Sequence, residues 1–93
     1  MFIVFLKFSD NRQQAPEYMD AHNEWIERGF EDAVFLLVGS LQAGGAILAH
    51  NTSMEALSQR VAEDPFVAAN VVSAEIEEIS AHRAEPRLQF LVG

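Results

Sequence analysis

Two stretches of this 93-residue chain are apolar at consecutive positions, and they constrain the possible folds more than any other feature. The stretches are Phe2–Leu6 (Phe-Ile-Val-Phe-Leu) and Val34–Val38 (Val-Phe-Leu-Leu-Val). Because successive side chains of a β-strand point to opposite faces of a sheet, a strand of this composition is apolar on both faces. A sheet that contains such strands has to be covered on both sides.

The hydrophobic pattern predicts the element order β-α-β-β-α-β. The predicted strands are Phe2–Phe8, Ala33–Leu41, Ala46–Ala49 and Val71–Ile79, with Gln42–Gly45 as the turn between the second and the third. The first helix is expected from Pro16 to Gly29 or Asp32, and the second from a capping box headed by Thr52 to Asp64-Pro65. This order is typical of an α+β, ferredoxin-like fold, a four-stranded antiparallel sheet with two helices on one face.

Two helices cover only one face of such a sheet, so the pattern leaves the other face without a cover. The simplest cover is a second copy of the chain, and we therefore expect a homodimer packed through its sheet faces with a shared cavity. The alternative cover is the chain's own C-terminal tail. On this interpretation residues 1–80 form the domain, and residues 81–93 form a tail in which Arg87–Val92 has strand character and is a candidate extra edge strand.

The composition excludes several functional classes. Fourteen acidic residues against six basic ones give a net charge of −8, and no basic cluster is present, so nucleic-acid binding is not expected. The absence of cysteine excludes a disulfide scaffold, a thiolate zinc site and a cysteine nucleophile. The apolar opening segment ends at Lys7 and is too short for a membrane span or a signal peptide, so we expect a cytoplasmic protein without a membrane partner.

His22 stands out among the candidate functional residues. The helical period places it within the apolar stripe of the first helix, between Met19 and Ile26, and a buried histidine needs hydrogen-bond partners for its ring nitrogens. A core histidine bonded to a backbone carbonyl is one interpretation. The other is a dyad with Asp64, whose carboxylate would orient the imidazole, although an aspartate before a proline is also an ordinary turn former.

The order and spacing of several short segments resemble the YCII-related (YciI-like) family of the dimeric α/β-barrel superfamily. The segments are the opening strand, His22-Asn23-Glu24-Trp25-Ile26, Phe35–Leu41, Gly44–Leu48 and Asp64-Pro65-Phe66-Val67, and the likeness extends from Met1 to about Ile79. The resemblance implies a ferredoxin-like dimer with His22 and Asp64 as the active-site pair. It also matches Gly39-Ser40-Leu41 to a segment in which family members often carry Gly-Pro, so that Ser40 replaces the proline.

The leading functional hypothesis is a small enzyme that uses a His22–Asp64 dyad for proton abstraction, elimination or isomerisation on a small cyclic or carbonyl compound, a lyase, isomerase or dehalogenase-like activity. We expect Trp25, Phe35, Gly39, Ser40 and Phe66 to bind the substrate, with Met19 as a further apolar wall. No cofactor and no metal site are expected. The alternative is a non-catalytic homodimer that binds a small ligand or has a regulatory role.

Overall fold

The computed structural model describes all 93 residues and forms a four-stranded antiparallel sheet in the order β2-β3-β1-β4. The strands are β1 (Phe2–Phe8), β2 (Phe35–Leu41), β3 (Gly44–Ala49) and β4 (Val72–Glu78). The helices are α1 (Ala15–Glu31), α2 (Met54–Ala62) and the single-turn α3 (Pro65–Ala68), and short 3₁₀ helices span Arg12–Gln14 and Pro86–Leu91. The predicted α+β, ferredoxin-like fold is confirmed.

One face of the sheet packs against the helices and forms the core. On β1 the side chains of Phe2, Val4 and Leu6 are buried on this face, which follows from the two-residue period of a strand. The helices contribute the other half of the core, including Trp25 from α1 and Leu57 from α2.

The opposite face of the sheet, which we call the open face, carries apolar side chains next to charged ones. Ile3 of β1 lies opposite Leu48 of β3, and Leu48 in turn lies opposite Leu37 of β2, which is 53% exposed. On β4 the same face presents Ser73, Glu75 and Glu77. The apolar half of this face is therefore not buried by the helices.

The C-terminal tail differs from its predicted form. Residues Pro86–Leu91 form a 3₁₀ helix, and the tail has a single parallel bridge, between Ala81 and Val92. Pro86 occupies the first turn, where its fixed backbone torsion favours a helical start over an extended strand. The tail lies against the end of the open face and encloses a cavity there with Leu37 and Leu48.

Three local predictions need correction. The N-cap of α2 is Ser53 and not Thr52. The hydroxyl of Ser53 accepts a hydrogen bond from the backbone N–H of Ala56 at 3.1 Å.

The β2–β3 loop is shorter than predicted and consists only of Gln42-Ala43, because β3 begins at Gly44. A side chain at Gly44 would bring its Cβ within 1.8 Å of the Leu6 carbonyl oxygen, so only glycine fits this close approach of the two strands. The third correction is α3, a helix that the sequence interpretation did not include.

Candidate functional site

The first residue of the candidate site, His22, lies in the middle of α1 on the face that packs against the sheet. It is buried, as are Trp25 and Gly29, which share this face at the three- and four-residue spacing of a helix. Trp25 donates a hydrogen bond from Nε1 to the carbonyl oxygen of Arg60 at 3.0 Å, which ties α1 to α2. The imidazole of His22 is therefore held between the helical layer and the sheet.

The second residue, Asp64, is the N-cap of α3. Its Oδ1 accepts a hydrogen bond from the backbone N–H of Phe66 at 3.0 Å, and Pro65 occupies the first helical position. This is the arrangement that an Asp-Pro sequence favours at a helix start, since proline has no N–H to leave unpaired. The Asp64 side chain is completely buried.

The fold brings these two residues into direct contact. Nδ1 of His22 lies 2.7 Å from Oδ1 of Asp64, the short distance of a charge-assisted hydrogen bond. A carboxylate accepts only, so Nδ1 carries the proton in this bond. In a neutral imidazole, a proton on Nδ1 leaves the lone pair on Nε2.

One face of the His22 imidazole packs against another ring, whereas its second nitrogen has no partner within the chain. The imidazole stacks on Phe66 with 4.0 Å between ring centroids and 4° between planes, which holds its orientation. Nε2 makes no hydrogen bond within the chain, and it is not among the buried unpartnered atoms. The free nitrogen is therefore accessible from the cavity beside it, while the bonded nitrogen is sealed in the core.

Asp64 Oδ2 is the one buried side-chain polar atom of the chain without a partner. The two hydrogen bonds of this carboxylate both go to Oδ1, one from His22 and one from Phe66. A buried carboxylate is costly unless it is paired, so the contact with His22 contributes strongly to keeping it in place.

The cavity beside His22 has a volume of about 260 Å³ and lies between α1 and the sheet. The register of the sheet explains why it is there. Ser40, Gly45 and Leu6 are paired in one row across β2, β3 and β1, on the face that carries Val4 and Ile47 one row further on. Since Gly45 has no side chain, the row does not fill the space beneath α1.

The lining of this cavity includes some predicted residues and excludes others. Gly39, Ser40, Phe66 and Met19 line it, as expected. The lining residues that the sequence interpretation did not include are Leu6, Phe8, Asn23, Ile26, Val38, Gly44, Gly45, Ala46, Ile47 and Val72. The strand period could have indicated Val38, which is two residues before Ser40 and on the same face.

Trp25 and Phe35, which the sequence predicted as substrate-binding residues, do not lie at this cavity. Trp25 is 1% exposed and Phe35 is 3% exposed, and neither lines the cavity. Their rings pack edge to face with centroids 5.2 Å apart. Phe35 fills the space over Gly29, where an added Cβ would lie 2.1 Å from its ring. Both aromatic side chains belong to the core behind His22.

Two larger cavities lie away from the His22–Asp64 pair. One of about 290 Å³ is bordered by Phe5, Lys7 and Leu41 near the β2–β3 loop, and one of about 610 Å³ is bordered by the tail. Neither is lined by a histidine that is hydrogen-bonded to a carboxylate, as His22 is to Asp64, so the cavity beside His22 is the candidate active site. No three His, Cys, Asp or Glu side chains are grouped in a way that could hold a metal ion. None of the helices combines the length and apolar character needed to cross a bilayer.

Comparison with known proteins relates this chain to a solved structure but to no described family. No protein-family model matches the chain, and no curated protein matches it significantly. The structure is similar to that of 5-chloro-2-hydroxyhydroquinone dehydrochlorinase (TftG) from Burkholderia phenoliruptrix AC1100, solved in complex with 2,5-dihydroxybenzoquinone. The TM-score is 0.68 and the sequence identity 17%, over 85% of this chain and 92% of that chain. The two chains thus share the ferredoxin-like fold, and the similar protein is an enzyme.

Proposed function

We propose that the protein is an enzyme in which His22 transfers protons to and from a small cyclic or carbonyl compound, with Asp64 as its orienting partner. The observation that carries the proposal is the 2.7 Å contact between Nδ1 and Oδ1, combined with an accessible Nε2 in a cavity of about 260 Å³. An imidazole with one nitrogen on a carboxylate and the other facing a ligand space is the arrangement of a general base.

The chemistry follows from the two nitrogens. Nε2 accepts a proton from a C–H or O–H bond of the substrate, and the electron pair of that bond remains on the substrate as an enolate or phenolate. The positive charge that forms on the imidazole lies next to the Asp64 carboxylate, which stabilises it. If this electron pair then expels a leaving group from the substrate, the reaction is an elimination. If the imidazole instead returns the proton to another atom of the substrate, the reaction is an isomerisation.

The open face of the sheet supports the further proposal of a homodimer. Leu37 and Leu41 are 53% and 49% exposed on this face of β2, and large exposed apolar side chains on one sheet face indicate an interaction surface. A second copy that packs its own open face against these residues would bury them. The tail covers one end of the same face, beside Leu37, so it would border such an interface.

A direct test is proton exchange between substrate carbon and solvent. The protein is incubated in D₂O with cyclic ketones, and the loss of C–H signals is followed by NMR; 5-chloro-2-hydroxyhydroquinone is assayed in parallel by chloride release. We expect His22→Gln to lower the rate by about a hundredfold or more, as is typical for loss of a general base. Asp64→Asn should lower it by about tenfold or more, because an amide does not stabilise the charged imidazole.

His50→Gln is the matched control, because His50 lies outside the cavity and packs near the ring of Phe90. Its rate should equal that of the unmodified protein. Exchange that is unchanged in His22→Gln contradicts the catalytic proposal. Binding of these compounds in the cavity without any turnover supports the alternative, a non-catalytic ligand-binding or regulatory dimer, in which the stack of His22 on Phe66 only shapes the cavity.

A further inference from the structure

The cavity beside His22 contains only three polar side chains, those of His22, Asn23 and Ser40. His22 uses Nδ1 for Asp64, whereas the side chains of Asn23 and Ser40 make no hydrogen bond within the chain. The remaining lining is apolar or glycine. A few polar groups on an apolar wall are what fixes the orientation of a small ligand.

Ser40 and His22 approach the cavity from opposite sides. Ser40 lies two residues after Val38 on β2, so their side chains point to the same face of the sheet. Val38 is paired with Ile47, which is buried on the helix side of the sheet. The hydroxyl therefore points towards α1, which carries His22. The strand neighbour of Ser40 is Gly45, which has no side chain to lie between them. A ligand in the cavity thus has the imidazole on one side and the hydroxyl on the other.

The lining also contains no Lys, Arg, Asp or Glu. Arg12 lies over the ring of Phe8, with its guanidinium carbon 4.7 Å from the ring centroid, but does not itself line the cavity. A fully charged carboxylate or phosphate ester would lose its hydration here without gaining a fixed counter-ion, which is unfavourable. The cavity therefore favours an uncharged ligand.

The size of the cavity limits the ligand to about one ring. An apolar cavity of about 150 Å³ holds benzene, so about 260 Å³ accommodates a six-membered ring with substituents. The aromatic side chains of Phe8 and Phe66 line the cavity together with the imidazole of His22. A planar ring fits such surroundings better than a branched aliphatic compound.

We propose that Ser40 is a specificity-determining residue that hydrogen-bonds a second oxygen substituent of an uncharged planar ring whose first oxygen faces Nε2 of His22. This inference rests on the proposed function, because it takes the His22 side of the cavity as the reactive side. It assigns the substrate to ring compounds with at least two hydroxyl or carbonyl oxygens.

The test compares two probes that differ by one oxygen, phenol and hydroquinone, by NMR titration of the isotopically labelled protein. The unmodified protein should bind hydroquinone about three- to tenfold more tightly than phenol, after correction for the two equivalent hydroxyls of hydroquinone. This factor corresponds to one neutral hydrogen bond. Ser40→Ala should lose this preference and bind phenol unchanged. Ser58→Ala, whose hydroxyl is on the exposed surface of α2, is the control and should keep the preference.

The outcomes separate this inference from the proposed function. A preference for hydroquinone that persists in Ser40→Ala, or that is lost in Asn23→Ala instead, overturns the assignment of Ser40. Benzoate that binds as tightly as phenol overturns the uncharged class. Proton exchange that is unchanged in His22→Gln contradicts the proposed function, whatever Ser40 does to the affinity for hydroquinone.

Discussion

The contact between His22 and Asp64 predicts a large energetic coupling that can be measured without knowing the substrate. The contact joins an imidazole to a carboxylate that is 0% exposed, with 2.7 Å between Nδ1 and Oδ1. We consider two replacements, His22→Phe and Asp64→Ser, and their combination. Phenylalanine keeps an aromatic ring on Phe66, and serine keeps a side-chain oxygen at the N-cap of α3.

The two single variants should lower the free energy of unfolding for different reasons. His22→Phe leaves the Asp64 carboxylate buried with only the N–H of Phe66, and breaking a buried pair in this way costs about 3–5 kcal/mol. Asp64→Ser removes one charge-assisted hydrogen bond, which is worth about 1.5–3 kcal/mol. A domain of this length has a total stability of about 5–14 kcal/mol, so both losses are large.

The double variant should be less destabilised than the sum of the single variants. With both partners replaced, no buried charge is left unpaired, and we expect the combined loss to fall short of the sum by about 2 kcal/mol. The assay is urea unfolding at neutral pH followed by the fluorescence of Trp25, the only tryptophan, which is 1% exposed. All variants are compared at one protein concentration, because association of the folded chains would make stability depend on concentration.

An exposed ion pair of similar length provides the comparison. Arg60 and Asp32 are 2.8 Å apart, but their side chains are 25% and 56% exposed. The same cycle with alanine at these two positions should give a coupling of about 1 kcal/mol or less, as is usual for pairs screened by water. Losses that add to within about 0.5 kcal/mol at His22 and Asp64 would refute the view that burial makes this contact strong.

Three further predictions concern the fold and the assembly. Gly29→Ala should destabilise the protein by about 1–3 kcal/mol in urea unfolding, because the new Cβ meets the buried ring of Phe35; an unchanged midpoint would show that this ring can move. Ser53→Ala should cost about 1 kcal/mol and Thr52→Ala much less, since Ser53 caps α2; the reverse order would contradict the observed N-cap. Sedimentation should give twice the chain mass of 10.3 kDa for the unmodified protein and the single mass for Leu37→Glu, whereas an unmodified monomer would rule out the proposed dimer.

Much of the architecture could be predicted because strand and helix periods are local properties. The alternation in β4 and the apolar runs of β1 and β2 indicated the strands, and the observed bounds of α1 agree closely with the prediction. The helical period also placed His22 on the buried face correctly. These features depend on residues a few positions apart, so the sequence contains the information directly.

The sequence predictions failed where two local signals competed, or where tertiary packing decided the secondary structure of a segment or the location of a side chain. Asp64-Pro65 was interpreted as the end of α2, but it is the N-cap and first residue of α3, and α2 ends earlier, at Ala62. The tail has the composition of a strand, yet a strand needs a neighbour along its length, and the tail has one bridge only. Trp25 and Phe35 were expected as apolar walls of the cavity, whereas both side chains are buried in the core and neither lines the cavity.

The sequence by itself therefore determined the element order, the two-sided apolar strands and the presence of His22 on the inner face of a helix. Tertiary structure alone decided that His22 meets Asp64, 42 positions away in the chain, at 2.7 Å. It also decided that Ser40, Gly45 and Leu6 form the row that leaves the cavity open. Periodicity and capping act between near neighbours, whereas these contacts depend on strand register and on how α1 and α3 pack against the sheet.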